Sequence, residues 1–304
     1  MEKARVLNTI ESALSNEQNL LSVACGDLIS TAEKINAFDA SLEEVSHKIV
    51  RYQGKDDKSY YGIIEGERVL QLESDFAEIA QGVLNYDGVE VLLKDVKILI
   101  PVEPTKVINF GWTFAGHAKE TGGTANLREP FLFLKPQSAL IADQETICLP
   151  PIDLTNKVEL EGEVALVIGK SGKNIKEEDA LDYVLGYTVF NDVTARDLTK
   201  SDPQFTRGKG FDTFGPIGPW IVTGIDPTNL RIVTTLNGKV VQDGNTAQMS
   251  LRIPFLISWI SQVMTLEPGD VLALGSPSGS CSMQTGDVVS VEVEHIGKLT
   301  NYVK

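Results

Sequence analysis

The sequence predicts an α+β protein that is predominantly β, preceded by a helical extension. Three observations carry this reading. From Lys48 onward the short stretches KIVRYQ, YYGIIEG and RVLQL are separated by polar turns, the texture of a small strand-rich unit. The unbroken apolar runs 164–168 and 187–190 have the length of buried strands rather than of helices. Asn237-Gly238, flanked by residues 231–236 and 239–242, is the strongest short-range hairpin signal.

Taken in order, residues 1–46 form the helical extension. Val6, Ile10 and Leu14 recur every four residues, and Leu28, Ile29, Ala32 and Ile35 make a second apolar set. Residues 47–100 read as a small β-rich N-terminal domain with a short helix within 75–93. Pro101 and Pro104 mark its boundary with a main domain over 101–304. Within that domain, 175–185 reads as a helix with the stripe Ala180, Leu181, Val184 and Leu185. Its acids Glu177, Glu178 and Asp179 suit the positive N-terminal end, and Gly186 is placed to stop it. Pro254 opens a helix with Phe255, Leu256, Trp259, Ile260 and Val263 on its core side, and Val289, Val291 and Val293 alternate with polar residues in a half-exposed strand.

Composition narrows the function. At 304 residues, 42% apolar and 23% charged, the chain has the make-up of a soluble globular protein. A formal charge of −15 argues against nucleic acid or an anionic membrane as partner, since both are bound through excess Lys and Arg. Cys25, Cys148 and Cys281 are odd in number and widely spaced, which suits neither a disulfide framework nor a CxxC metal site. No run approaches the ~20 apolar residues of a membrane span, and charges stand where a signal peptide needs an apolar core. The expectation is a cytoplasmic protein.

The chemistry concentrates in residues 161–192. In a strand, Glu161 and Glu163 point to one face, and Asp192 ends the next apolar run. Should the two strand ends be neighbours, three carboxylates would meet with no His or Cys nearby. Oxygen-only ligands suit Mg²⁺, Mn²⁺ or Ca²⁺ rather than zinc. By spacing alone, an E-x-E pair fits such a site and a solvent-facing edge strand equally. His117 and Glu120, three apart, fit one face of a helical turn, where the carboxylate would fix the imidazole tautomer and prepare a general base. In isolation that pair also fits a decorated loop, Lys135 a strand-end charge, Lys209 a surface lysine and Ser276 a turn residue.

As an ordered string these residues resemble the fumarylacetoacetate hydrolase family. The likeness runs over about 47–304 and includes Glu161-Gly-Glu163, then Gly186-Tyr187-Thr-Val-Phe-Asn191-Asp192-Val-Thr194-Ala195-Arg196-Asp197. Gly111-Trp-Thr113-Phe114-Ala-Gly-His117-Ala-Lys-Glu120 is similar to the family's G-x-N-Y-x-x-H-x-x-E. Phe-Leu-Lys135-Pro136, Gly208-Lys209-Gly-Phe-Asp212-Thr-Phe and Gly275-Ser276-Pro277-Ser-Gly279 complete the series.

The resemblance implies a mixed β-roll or β-sandwich catalytic domain and a homodimer. It implies Mg²⁺ or Mn²⁺ held by Glu161, Glu163 and Asp192, with Ca²⁺ able to replace them in crystals. It makes His117 and Glu120 a catalytic dyad on a closing segment, with Gly122 and Gly123 giving the freedom of a lid, and it puts Lys209 against the developing anion. Lys135, Arg196, Thr199 and Ser276 become substrate contacts. Thr113 and Phe114 stand where Asn and Tyr are usual. Thr199 replaces a frequent Gln, so any contact made there is lost or shortened. The implied activity is metal-dependent hydrolysis or lysis of a C–C bond in a small 2-oxo or 2,4-dioxo acid through a stabilised enolate. Oxaloacetate decarboxylation and hydroxymuconate-type isomerisation are the alternatives on the same scaffold, and a catalytically silent dicarboxylate-binding protein is a third.

Overall fold

The computed structural model describes residues 46–304 except residue 125; the expected helical extension therefore lies, apart from Ser46, outside the described residues. In chain order the strands used below are β1 (Lys48–Gln53), β2 (Ser59–Glu65), β3 (Arg68–Leu72), β4 (Tyr86–Leu92), β5 (Val107–Gly111), β6 (Phe131–Lys135) and β7 (Gly162–Ile168). They continue as β8 (Val184–Asn191), β9 (Gly215–Val222), β10 (Arg231–Leu236), β11 (Lys239–Asn245), β12 (Val271–Ala273), β13 (Val288–Val293) and β14 (Gly297–Val303). The helices are α1 (Phe76–Ala80), α2 (Ala115–Thr121), α3 (Arg196–Ser201), α4 (Thr206–Lys209) and α5 (Ile253–Val263).

A long sheet runs β4-β3-β2-β1-β9-β8-β7-β12-β5-β6, and a second runs β11-β10-β13-β14 with the short strand Thr146–Ile147 at its edge. The architecture is α+β and predominantly β. The strands of 47–100 extend the long sheet, because Lys48 and Ile49 pair with Val222 and Ile221 of β9. Residues 46–304 form one compact unit.

The apolar run 164–168 is unbroken because β7 lies between β8 and β12 and is covered on both faces. Val164, Leu166 and Ile168 share a core with Leu256, Ile257 and Ile260 of α5. Ala165 and Val167 pack with Phe190, Ile217 and Ile221 on the other side. The Asn237-Gly238 turn joins β10 to β11 with φ of 52° and 77°, the left-handed pair that a tight hairpin requires.

Three elements differ from the sequence reading. Residues 175–185 do not make a full helix: a 3₁₀ turn spans Glu177–Tyr183, and Val184 and Leu185 already belong to β8. The segment is held at both ends, by Ile175 N–H on Ser261 Oγ (2.8 Å) and Gly169 N–H on the Tyr183 carbonyl (2.8 Å). Gly186 stops nothing; a Cβ there would lie 2.5 Å from the Val222 carbonyl, so its role is close approach to β9. The helix expected within 75–93 is confined to α1, where Asp75 and Glu78 form a capping box, and the remainder turns at Gly82 into β4. In α5, Val263 is 54% exposed, since the last turn extends past the core. No helix among the described residues is long and apolar enough to cross a membrane.

Candidate active site

The carboxylates meet because β7 and β8 are antiparallel with Gly162 opposite Asn191. That register sets Glu161 beside Asp192, whose N–H bonds the Glu161 carbonyl at 2.8 Å. Asn191 Oδ1 accepts the Glu161 N–H at 3.0 Å and staples the two ends together. Glycine between the glutamates is a packing requirement, for a Cβ at Gly162 would lie 2.1 Å from Thr234 Oγ1. Glu161, Glu163 and Asp192 are all buried and offer oxygens within 4.8 Å of one another.

Three cations answer these carboxylates. Lys209, at the end of α4, donates to Glu161 Oε2 at 2.7 Å and also to Asp192. Arg196, opening α3, donates from Nε to Glu159 Oε2 at 2.7 Å and from Nη2 to Glu161 Oε1. Burial alone would raise Glu161, but Lys209, Arg196 and His117 outweigh it and hold its pKa well below the ordinary value. Lys135, ending β6, gives its three protons to the carbonyls of Val193 (2.9 Å), Lys209 (2.6 Å) and Phe214 (2.7 Å). Its Nζ is also 2.8 Å from Asp192 Oδ1, so four acceptors share three protons and that oxygen is the one in excess. Burial draws Lys135 down to about 8, against the pull of Asp192.

Among the described residues Glu163 has no cation of its own and accepts only the Gly275 N–H, at 2.9 Å. Burial, then Asp192, then Glu161 push its pKa well above the usual carboxylate value. A hard divalent cation fits this donor set on the site's own evidence. It would neutralise the carboxylate that burial penalises and engage Asp192 Oδ1, the acceptor in excess around Lys135, through oxygen ligands alone.

His117, on α2, overhangs the carboxylates. Its Nδ1 is 3.3 Å from Glu120 Oε2 and its Nε2 3.3 Å from Glu161 Oε1. Glu120 is itself fixed by the Gly279 N–H, 3.1 Å from both oxygens. Burial lowers the His117 pKa, but the hydrogen bond and charge of Glu161 overcome this and raise it. Thr113 and Phe114 anchor the segment: Thr113 Oγ1 donates to the Leu274 carbonyl at 2.6 Å, and Phe114 is buried in the core shared with α5.

His117, the three acids, Arg196, Lys209 and Ser276 line one small cavity, together with Phe110, Trp112, Phe133 and Phe205. Ser276 Oγ donates to the Gly162 carbonyl at 3.0 Å and accepts from Gln242 Nε2 at 2.8 Å. Lys135 and Thr199 do not line it; Thr199 Oγ1 donates to the Arg196 carbonyl at 3.1 Å. Two features escaped the sequence reading. Glu159 holds Arg196 in place and had a signal, since the run Glu159-Leu-Glu161-Gly-Glu163 continues the i, i+2 pattern backward. The aromatic wall had none, because Trp112 and Phe205 are far apart in sequence.

The sequence signature described as Fumarylacetoacetate (FAA) hydrolase C-terminal matches residues 106–304, well over half of the chain. The chain belongs to the fumarylacetoacetate hydrolase family. A second signature, Rv2993c-like N-terminal, matches residues 47–101. Among its relatives in the family is the mitochondrial oxaloacetate tautomerase FAHD2A of Homo sapiens, 40% identical over 222 residues, which cover 69% of this chain and 70% of that protein. The structure of 2-hydroxyhepta-2,4-diene-1,7-dioate isomerase from Mycobacterium marinum matches with a TM-score of 0.76 and 38% identity, over 84% of this chain and 98% of that one. Fumarylacetoacetate hydrolase from Exiguobacterium antarcticum matches with a TM-score of 0.75 and 36% identity, over 85% and 99%. The fumarylacetoacetate hydrolase scaffold of this chain is that of an enzyme.

Proposed function

We propose that the protein is a divalent-metal-dependent enzyme, with Mg²⁺ or Mn²⁺, that forms the enolate of a small 2-oxo or 2,4-dioxo acid and cleaves the adjoining C–C bond. The observation that carries this reading is the His117–Glu120 dyad held 3.3 Å from a carboxylate of the acidic cluster. Glu161, Glu163 and Asp192 would hold the ion, which would supply Lewis-acid polarisation of the 2-oxo group and so make the neighbouring carbon acidic. With Glu120 accepting the Nδ1 proton of His117, Nε2 would be left to take a proton from C3 or from water once its hydrogen bond to Glu161 is given up. Lys209, its ammonium fixed on Glu161 and Asp192, stabilises negative charge that develops on the oxo oxygen. Arg196 orients Glu161 from behind, and the aromatic side chains exclude water.

Tautomerisation of the same class of acid is the second reading. It is favoured by the 40% identity to a relative named oxaloacetate tautomerase, and it needs the same proton transfers without bond cleavage. Three spaced cysteines favour the cytoplasm, and the family resemblance is what supports a homodimer. A spectrophotometric panel of acetylpyruvate, fumarylpyruvate, oxaloacetate and a dienol acid, with Mn²⁺ and with EDTA, tests the proposal. Metal-dependent loss of the dioxo acid with release of pyruvate is expected. Enol–keto interconversion alone would favour the tautomerase, and no turnover of any member would contradict both readings.

A further inference from the structure

The space directly over the three carboxylates is small, about 20 Å³, so most of any ligand must extend outward. Its way out is lined by aromatic rings in continuous contact. Phe133 lies beneath the Lys209 ammonium, with Nζ 4.7 Å from the ring centroid. Phe205 is 5.7 Å from Phe133 and 4.6 Å from Phe131, and Trp112 is 4.5 Å from Phe131 and 5.9 Å from Phe205, edge to face. Trp112 and Gly111 line both the catalytic cavity and a neighbouring groove of about 590 Å³. That groove is lined by Trp112, Leu127, Pro130, Phe131, Leu132 and Leu251, together with the uncharged polar residues Thr124 and Asn126. Its one ionisable side chain among the described residues is an acid, Glu129.

The Trp112 ring is placed deliberately. Its backbone has φ of 58°, a conformation that bulky residues avoid and that marks functional positions when the surroundings enforce it. Here Trp112 Nε1 donates to Thr121 Oγ1 at 3.1 Å, and Gly123 lets the loop lie against the ring; a Cβ on Gly123 would be 2.2 Å from Trp112 Cε2. At the inner end Lys209 gives two of its three protons to Glu161 and Asp192, leaving one for the oxo-acid head, and Arg196 is tied to Glu159 and Glu161.

We infer that the substrate's far end, beyond the oxo-acid head, is apolar or aromatic rather than a second carboxylate. The inference rests on the oxo-acid reading above. A phenyl-sized tail would stack on Trp112 and Phe205 and continue into the groove, where ring faces offer favourable offset or edge contacts. A distal carboxylate there would meet Glu129, and among the described residues that line the groove there is no cation to pair with it.

Calorimetry on the Mn²⁺-loaded full chain tests this with N-phenyloxamate and N-oxalylglycine, which share an oxalyl head and differ in the tail. The phenyl compound is expected to bind at least about tenfold tighter, with the ratio collapsing about tenfold in Trp112→Gly. Glycine tolerates the positive φ, so this variant relieves the backbone while removing the ring. Phe205→Leu provides a second reading should Trp112→Gly fail to fold. Equal affinities, a preference for N-oxalylglycine, or a phenyl preference that survives the variants would overturn the inference. Mn²⁺-dependent deuterium exchange into pyruvate, which has no tail, is run beside it. Exchange without phenyl preference defeats the tail alone, whereas loss of exchange and of all oxalyl binding defeats the oxo-acid reading and this inference with it.

Discussion

Replacing Lys135 by methionine isolates the residue that builds the site from behind. Methionine has a similar volume but no donors. The change leaves the carbonyls of Val193, Lys209 and Phe214 without their bonds of 2.6–2.9 Å and removes the cation 2.8 Å from Asp192 Oδ1. Taking one partner from a buried charge pair costs about 3–5 kcal/mol. The three abandoned carbonyls act in the same direction, each unsatisfied acceptor costing about 1–3 kcal/mol. Relaxation prevents these from adding in full, so a loss of about 4 kcal/mol is the working figure, a large share of a typical total of about 5–15 kcal/mol. With a urea slope of about 3 kcal/mol per molar for a chain of this size, the unfolding midpoint should fall by roughly 1–1.5 M. Far-UV circular dichroism during urea titration reads this directly. Mn²⁺ affinity should fall as well, because Lys135 fixes the carbonyl of the residue after Asp192 and the carbonyl of Lys209. A midpoint within roughly 0.3 M of the parent, together with a raised KM, would refute the reasoning and return Lys135 to the role of a direct substrate contact.

Three further outcomes follow from the same geometry. Glu163→Gln keeps the side-chain shape and the oxygen that accepts the Gly275 N–H while removing the charge. Mn²⁺ affinity should fall by at least about 100-fold, and an unchanged titration would remove Glu163 from the ligand set. Because the parent's Glu163 pKa is raised well above its ordinary value, its cost to folding is absent in acid and grows as pH rises through that value; with EDTA at neutral pH the variant should therefore melt higher than the parent. Tyr61, pushed up to about 12 by burial, gives stability that is complete below its ordinary value near 10 and is lost as pH rises toward 12. Tyr61→Phe should show a shallower alkaline decline in urea midpoint, and parallel curves would exclude the effect. Gly275→Ala would place a methyl 2.0 Å from Thr113 Oγ1 at φ of 94°, with an expected loss of about 2–4 kcal/mol; a thermal shift near zero would show that the loop yields freely.

The sequence was most legible where local pattern and tertiary role coincide. The unbroken run 164–168 could be covered on both faces only as a central strand, and Asn237-Gly238 encodes its own turn. At residues 175–185 helix-like spacing lost to tertiary ties, since bonds from Ser261 and Gly169 hold both ends and the sheet claims Val184. The acidic triad was foreseeable as residue types, but its burial depends on a β7–β8 register that no single strand displays. Lys135 shows the limit most clearly. Its place at a strand end was visible, whereas the four acceptors around it come from three distant segments. The aromatic wall likewise joins the residue after β5, strand β6 and the residue before α4, so only folding brings Trp112, Phe131, Phe133 and Phe205 together.

The central claim is that this acidic pocket, with His117 above it, moves protons at the carbon next to a 2-oxo group. Proton NMR of pyruvate in D₂O tests it without knowledge of the natural substrate. With Mg²⁺ as the ion, we expect the C3 methyl signal to disappear in the presence of the protein, to persist with EDTA, and to persist with His117→Ala. Exchange that ignores both the metal and His117, or no exchange in a protein that demonstrably binds the metal, would contradict the account.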